Sequence, residues 1–370
     1  MKTTLYKLSK EGVMLTSVIF AEKKGEQWEI WKETGQKDGK KIEHSPDIIK
    51  EGKAKRTLDQ QMELQYNSII NKLLDKGYKR TEQEAQENKG TDAAGVPKPM
   101  LAAPSKDKEE SIFQNVKWKV SRKFDGVRCL IGKLNGNILA LSREGKSYDV
   151  GARFVIEDLQ NAGVFDRMVD GEFLDGEMYI HGRLLQTFSG LMRKQDPMEE
   201  HQELQYHVYD VLKTGPFEGR LEFLRTTLKD VMVDGRIVMV EHFDASSYDE
   251  VKELHDRFVE EGYEGAIARN VASDYLSGRD KRMVKVKAFQ DAEYTIIGYK
   301  EGKRGLVDLV YVMDAGESGM FDAKPVGEEG CELKTVPDKF IGKTATIRFS
   351  SFTVAGVPSH GVLTVVRDYE

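Results

Sequence analysis

A chain of 370 residues is long enough for two or three folding units, and 39% hydrophobic with 32% charged residues is the composition of a soluble globular protein. No apolar run is long enough to cross a bilayer, and the MKTTLYKLSK start is read as carrying no secretory leader. A net charge of −6 argues against a coat that covers nucleic acid nonspecifically, while Cys129 and Cys331, the only two cysteines, give neither a disulfide framework nor a metal spacing; the cytoplasm is the expected compartment.

Residues 1–78 read as one small α+β unit. Strands are expected over 4–8, 16–21 and 27–33, and an amphipathic helix over 58–74, where Met62, Tyr66, Ile70 and Leu73 recur at helical spacing. The polar, proline-bearing stretch 79–111 reads mostly as a linker, and no internal repeat is evident. Residues 112–289 mix the two element types. Strands are expected over 117–122, 127–133, 138–142, 168–173, 177–180, 206–212, 237–240, 266–269 and 283–287, with helices over 151–162, 221–231 and 249–261. Strands that follow strands predict a largely antiparallel α+β domain rather than a regular βαβ series. Residues 290–370 are strand-rich with glycine turns and no helix pattern, which fits a small closed β-barrel.

The segment Ser121-Arg122-Lys123-Phe124-Asp125-Gly126-Val127-Arg128 poses the functional question. Asp-Gly between apolar runs predicts a tight hairpin. A hairpin alone requires neither Lys123 nor Arg128. A lysine amine is a nucleophile only when deprotonated, and nearby cations such as Arg122 and Arg128 would favour that form. Further on, Lys285 and Lys287 share one face of a strand, so an anion such as phosphate would relieve their repulsion; a solvent-facing edge strand is the plain alternative. Glu177 and Glu264 are hard oxygen ligands of the kind Mg²⁺ accepts beside substrate phosphates. Basic clusters at 50–56, 193–194, 279–282 and 300–304 read singly as solvated faces.

In this order the signals form a set. Lys123-Phe124-Asp125-Gly126-Val127-Arg128 matches KxDGxR, the signature of the covalent nucleotidyltransferases, a superfamily of DNA ligases, RNA ligases and capping enzymes. Ser142-Arg143-Glu144-Gly145, the DGE at 175–177, Tyr209-Asp210, EGxxxR at 264–269 and KxK at 285–287 resemble its remaining motifs in sequence order. Within that superfamily the stretch from about 97 to 370 most resembles the ATP-dependent DNA ligases of the viral and phage type, through Lys98-Pro99-Met100-Leu101-Ala102, the run Leu174 to Leu191, and Phe289-Gln290-Asp291-Ala292-Glu293-Tyr294. The resemblance implies an antiparallel nucleotidyltransferase domain followed by an OB-fold barrel. It implies Lys123 as the nucleophile on the ATP α-phosphate, with Arg128, Arg143, Glu177, Tyr209, Lys285 and Lys287 around the nucleotide. Tyr209 would stack on adenine, Glu264 and Glu177 would face Mg²⁺, and nicked duplex DNA would be the substrate of a monomeric enzyme.

DGE also occurs at 170–172, which makes Glu172 the fallback for Glu177. The chain closes on Val366-Arg367-Asp368-Tyr369-Glu370 without the lysine of the family's late basic motif. Residues 1–78 resemble a WGR domain through Trp31, the run Gly52 to Thr57 and Lys76-Gly77-Tyr78, although Lys32 and Glu33 stand where glycine and arginine would be. Alternatives to a DNA ligase are an RNA ligase with the same first step, a capping enzyme that prefers GTP, and an inactive nucleic-acid-binding module.

Overall fold

The structure is a computed structural model. It describes the chain except residues 10, 88–90, 92–93, 105–111, 114–115, 232–234, 288, 303–304, 327–328 and 368–370.

At the N-terminal end, antiparallel strands Lys2–Leu8, Met14–Lys24 and Gln27–Gln36 form a sheet, and two three-residue strands pair with the last of them. Helix Leu58–Asp75 starts at a capping box: Gln60 N donates to Thr57 Oγ1 (3.2 Å) and Thr57 N donates to Gln60 Oε1 (2.9 Å). Its buried Met62, Tyr66, Ile70 and Leu73 close over Leu5, Ile19 and Ile30.

The stretch 79–111 holds more than a linker. Helix Glu82–Glu87 forms there, and strand Met100–Pro104 runs parallel to Gly278–Lys287 as the edge of a sheet. Met100 and Ala103, two apolar residues in a polar context, are buried, and burial of that face outweighs the weak strand pattern.

Two five-stranded sheets then face each other across a cleft. The first has the order Ile237–Met239, Gln205–Leu212, Phe173–Tyr179, Val127–Leu134, Asn137–Leu141. Helices Arg153–Asn161 and Phe217–Leu228 bury Val155, Leu159, Leu224 and Leu228 in the core it shares. The second has the order Phe243–Ala245, Trp118–Lys123, Gly265–Asn270, Gly278–Lys287, Met100–Pro104, and is covered by helix Tyr248–Glu260 through Val251 and Phe258. One strand, Phe173–Tyr179, replaces the two expected over 168–173 and 177–180.

The expected Asp-Gly hairpin is absent. Trp118–Lys123 and Val127–Leu134 belong to different sheets, so Phe124-Asp125-Gly126 is a crossover between them. Gly126 lacks the positive φ that an Asp-Gly hairpin turn requires. It is small for another reason: a Cβ there would lie 2.5 Å from Glu177 Cγ and 2.6 Å from the Met178 carbonyl oxygen.

Five strands close into a barrel: Gln290–Gly302, Gly305–Asp314, Met320–Pro325, Val362–Arg367 and Thr344–Phe349. Its core includes Ile296, Tyr311, Met313, Ile347 and Leu363. A short helix, Glu329–Thr335, corrects the helix-free expectation. Its Leu333 is buried, and the Leu333 carbonyl accepts the Tyr311 hydroxyl at 2.8 Å. A small hairpin, Ser351–Phe352 with Pro358–Ser359, leaves the barrel toward the cleft.

Candidate active site

The cleft between the two sheets holds an open cavity of about 750 Å³, the size of a small-molecule site. Lys123 reaches it from the last position of its strand. The crossover is anchored by Phe124, whose ring is 4.7 Å from His207, 5.1 Å from Tyr179 and 5.5 Å from Tyr263. A buried aromatic between Lys123 and Asp125 thus fixes where both polar neighbours emerge.

Glu264 precedes strand Gly265–Asn270, and its backbone N–H donates to the Lys123 carbonyl (3.0 Å). Its two carboxylate oxygens are ion-paired, Oε2 with Lys123 Nζ and Oε1 with Lys287 Nζ. Burial raises the Glu264 pKa, but Lys123 and Lys287 outweigh it and hold the carboxyl below its ordinary value. Lys285 lies on the same strand face as Lys287, outside the cavity lining. Burial lowers its pKa, and Lys287 and Lys123 lower it further. Lys123, Lys285 and Lys287 thus form one cluster of ammonium groups around Glu264. Of the two arginines expected beside Lys123, Arg122 is paired with Glu261 (2.6 Å) and Glu241 (3.0 Å), and Arg128 with Asp175.

On the opposing sheet, Arg128 makes a fork to Asp175, Nε to Oδ1 at 2.8 Å and Nη2 to Oδ2 at 2.5 Å, and donates from Nη1 to the Met100 carbonyl at 2.8 Å. Glu177 lines the cavity. Burial lifts its pKa to about 7, against the pull of Lys123 and Arg128. Glu172, the other DGE glutamate, does not: it pairs with Lys213 and accepts from Val169 N at 3.1 Å. Arg143 stands at the rim on an exposed turn beside Glu144 (2.9 Å). Arg367 is held by Glu293 (3.2 Å) and Thr346 and is not part of the lining, while Asp368 lies outside the described residues.

Tyr209 reaches the cavity through a β-bulge. Pairing steps from Asp175–Asp210 to Gly176–Val208, so Tyr209 is the extra residue on its strand. Bulges of this kind re-aim a side chain. The Tyr209 hydroxyl donates to Glu177 Oε2 at 3.3 Å. Asp210, directly behind, takes Arg220 Nε at 2.7 Å and Arg269 Nη1 at 2.6 Å. Asp175, Asp210 and Arg269 lie inside quoted motifs, yet their spacing assigns them no role; Arg220 and Tyr275 lie in no motif. The barrel supplies the last wall, through Ser351, Phe352 and His360 of its hairpin, and Val354 N donates to Gln186 Oε1 at 3.2 Å.

The family model for the ATP-dependent DNA ligase domain matches residues 99–287, the segment that builds both sheets. The chain belongs to the ATP-dependent DNA ligase domain family. Among named members, it is similar to the DNA ligase of African swine fever virus (isolate Tick/South Africa/Pretoriuskop Pr4/1996), 32% identical over 196 residues, 50% of this chain and 45% of that protein. It is also similar to the DNA ligase of Enterobacteria phage T6, 23% identical over 247 residues, 54% of this chain and 50% of that one. The chain thus spans about half the length of these ligases. In fold it is similar to a Lig E DNA ligase (TM-score 0.59, 21% identity), covering 74% of this chain and all of that one. A second ligase structure, Pmar-Lig, aligns with TM-score 0.62 at 18% identity over 74% of this chain and 68% of that one. The fold class expected for this family, mixed sheets with an OB-type barrel, is the one observed.

Proposed function

We propose that this chain is an ATP-dependent DNA ligase that seals nicks in duplex DNA through a covalent lysyl-AMP intermediate. The observation that carries the proposal is Lys123, presented at a sheet-to-sheet crossover into a nucleotide-sized cavity and held with Lys287 on the single carboxylate of Glu264. In the first step Lys123 Nζ, having lost its proton, attacks the α-phosphorus of ATP. The bond to the β-phosphate oxygen breaks and pyrophosphate leaves. The AMP then passes to the 5′-phosphate of a nick, and the 3′-hydroxyl displaces it. Lys285 and Lys287 supply positive charge for the α-phosphate, Arg128 and Arg143 face nucleotide or DNA phosphate, Tyr209 stacks on adenine, and Glu177 faces the ribose or the metal.

Mg²⁺ belongs to the same proposal. Among the described residues no three His, Cys, Asp or Glu side chains gather closely enough to hold a metal alone. Glu264, with Glu177 across the cavity, suits an ion that takes one or two carboxylates and completes its shell with phosphate oxygens. When bound, it would neutralise charge on the triphosphate. The proposal also reads 1–78 as a separate small domain, 112–289 as the adenylation domain and 290–370 as the OB domain, in a monomeric cytoplasmic enzyme. No helix among the described residues is long and apolar enough to cross a membrane.

The test is incubation with Mg²⁺ and α-labelled ATP, then a denaturing gel, for wild type and Lys123→Ala. Label retained from ATP by the wild type only, and discharged by nicked DNA, is the expected result. Discharge by nicked RNA alone would make it an RNA ligase. Absence of label, even after pyrophosphate has stripped any bound AMP, would overturn the proposal.

A further inference from the structure

Tyr209 is tied to Arg128 by a chain of contacts whose other members, Arg269 at the cavity wall and Phe217, Arg220, Tyr275 and Asp175 behind it, have no role in the proposed chemistry. The Arg269 guanidinium stacks between two rings, 4.9 Å from the Tyr209 centroid and 5.1 Å from that of Phe217. Arg220 repeats the pattern one layer deeper, 5.3 Å from Phe217 and 5.5 Å from Tyr275. Asp210 clamps both arginines, and Arg269 also donates to the Tyr209 carbonyl at 3.3 Å. The Tyr275 hydroxyl donates to Asp175 Oδ2 at 2.6 Å, Asp175 holds Arg128, and the Arg128 guanidinium is 5.8 Å from the Tyr209 ring. The path therefore closes on itself: Tyr209, Arg269, Phe217, Arg220, Tyr275, Asp175, Arg128 and back to Tyr209.

Arg269 is 5% exposed, and its Nε is buried with no hydrogen-bond acceptor among the described residues. An unpaired buried donor carries a desolvation cost. Here the guanidinium lies against aromatic faces, whose negative quadrupole is the remaining partner for its charge. Arg269 comes from the second sheet and Tyr209 from the first, so the stack also fixes their separation at this edge of the cleft.

We infer that Arg269 is a positioning residue that presents Tyr209 as a rigid, cation-backed platform for the nucleobase. The ladder behind it sets how tightly the enzyme holds its nucleotide rather than how fast Lys123 attacks. This inference rests on the reading of Tyr209 as the nucleobase platform. A cation under one ring face withdraws electron density, which favours an electron-rich purine on the other face.

The test is a double-mutant cycle on the lysine-adenylation step, run as a function of ATP concentration with wild type, Arg269→Met, Tyr209→Ala and the double variant. Arg269→Met is expected to raise KM for ATP roughly tenfold, the span of one buried cation–π contact, with a smaller effect on the rate at saturating ATP. In the Tyr209→Ala background the same change should cost little, because the platform it supports is gone. Arg269→Lys, which keeps the charge, should recover part of the affinity. Equal losses in both backgrounds would overturn the inference and leave the platform reading standing. A Tyr209→Ala variant with unchanged KM would remove both. Should Arg269→Met fail to fold, Phe217→Leu breaks the stack without burying or freeing a charge, and the same cycle with Tyr209→Ala decides on the same outcomes.

Discussion

Glu264 and Glu177 face one cavity and are tuned in opposite directions. Glu264 touches two ammonium groups and stays ionised; Glu177 is lifted to about 7 by burial, so near neutrality a fraction of it is a neutral acid able to donate a hydrogen bond. The sign for stability follows. A folded-state pKa above the ordinary 4.5 means the contribution of Glu177 is fully present below 4.5 and is lost as pH rises through about 7. Glu177→Gln, which mimics the neutral acid, should therefore lose less stability than wild type between pH 4.5 and about 7. Thermal melting of both proteins across that window, without nucleotide, measures it; parallel curves would show that burial of Glu177 carries no such cost. At this scale much of the site was legible. Lys123, Glu264 and Lys287 could be named because each carries a charge at a strand end, and Glu177 because it closes the DGE of a quoted motif. Arg220 and Tyr275 could not, because a residue that acts by lying behind another leaves no mark on spacing.

At the scale of the element, the crossover at Phe124-Asp125-Gly126 explains why the site exists. Two strands that paired as a hairpin would put Lys123 and Arg128 on one sheet. Divided between sheets, they face each other across the cleft. The Asp-Gly step read as a turn because the local signal for a turn and for a close approach is the same small residue. Only the long-range contact with Glu177 and Met178 separates them. Gly126→Ala should be harmful although φ at this position permits alanine, since the Met178 backbone carbonyl cannot move aside. A loss of about 1–3 kcal/mol in urea unfolding is expected, as for other overpacked sites, together with slower adduct formation. Wild-type stability in the alanine variant would refute the close-approach account. The helices over 58–75 and 248–260 were legible because their apolar spacing is regular. Strand Met100–Pro104 was not, since its neighbours are polar and its partner lies far along the chain.

At the scale of the whole molecule, the cavity belongs to three parts of the chain: two sheets and the barrel hairpin that leans on Gln186. A cavity of about 750 Å³ is of a size for a nucleotide and too small for a duplex. On the proposed reading, the barrel is therefore expected to withdraw before duplex DNA reaches Lys123. Cysteines introduced as Gln186→Cys and Val354→Cys, joined by a short bifunctional cross-linker, should leave the enzyme able to take label from ATP and unable to pass it to nicked DNA. Transfer at the untethered rate would show that the hairpin need not move. The barrel itself was legible from its strand density, whereas its approach to the cleft depends on packing that no local pattern encodes. Strand Met100–Pro104 carries a last consequence, for anyone dividing the protein. It covers the edge of Gly278–Lys287 and lends its Met100 carbonyl to Arg128. A fragment begun at residue 112 would keep every motif from KxDGxR to KxK and yet expose a bare strand edge, an invitation to pair with another copy of itself, and would leave Arg128 short of an acceptor.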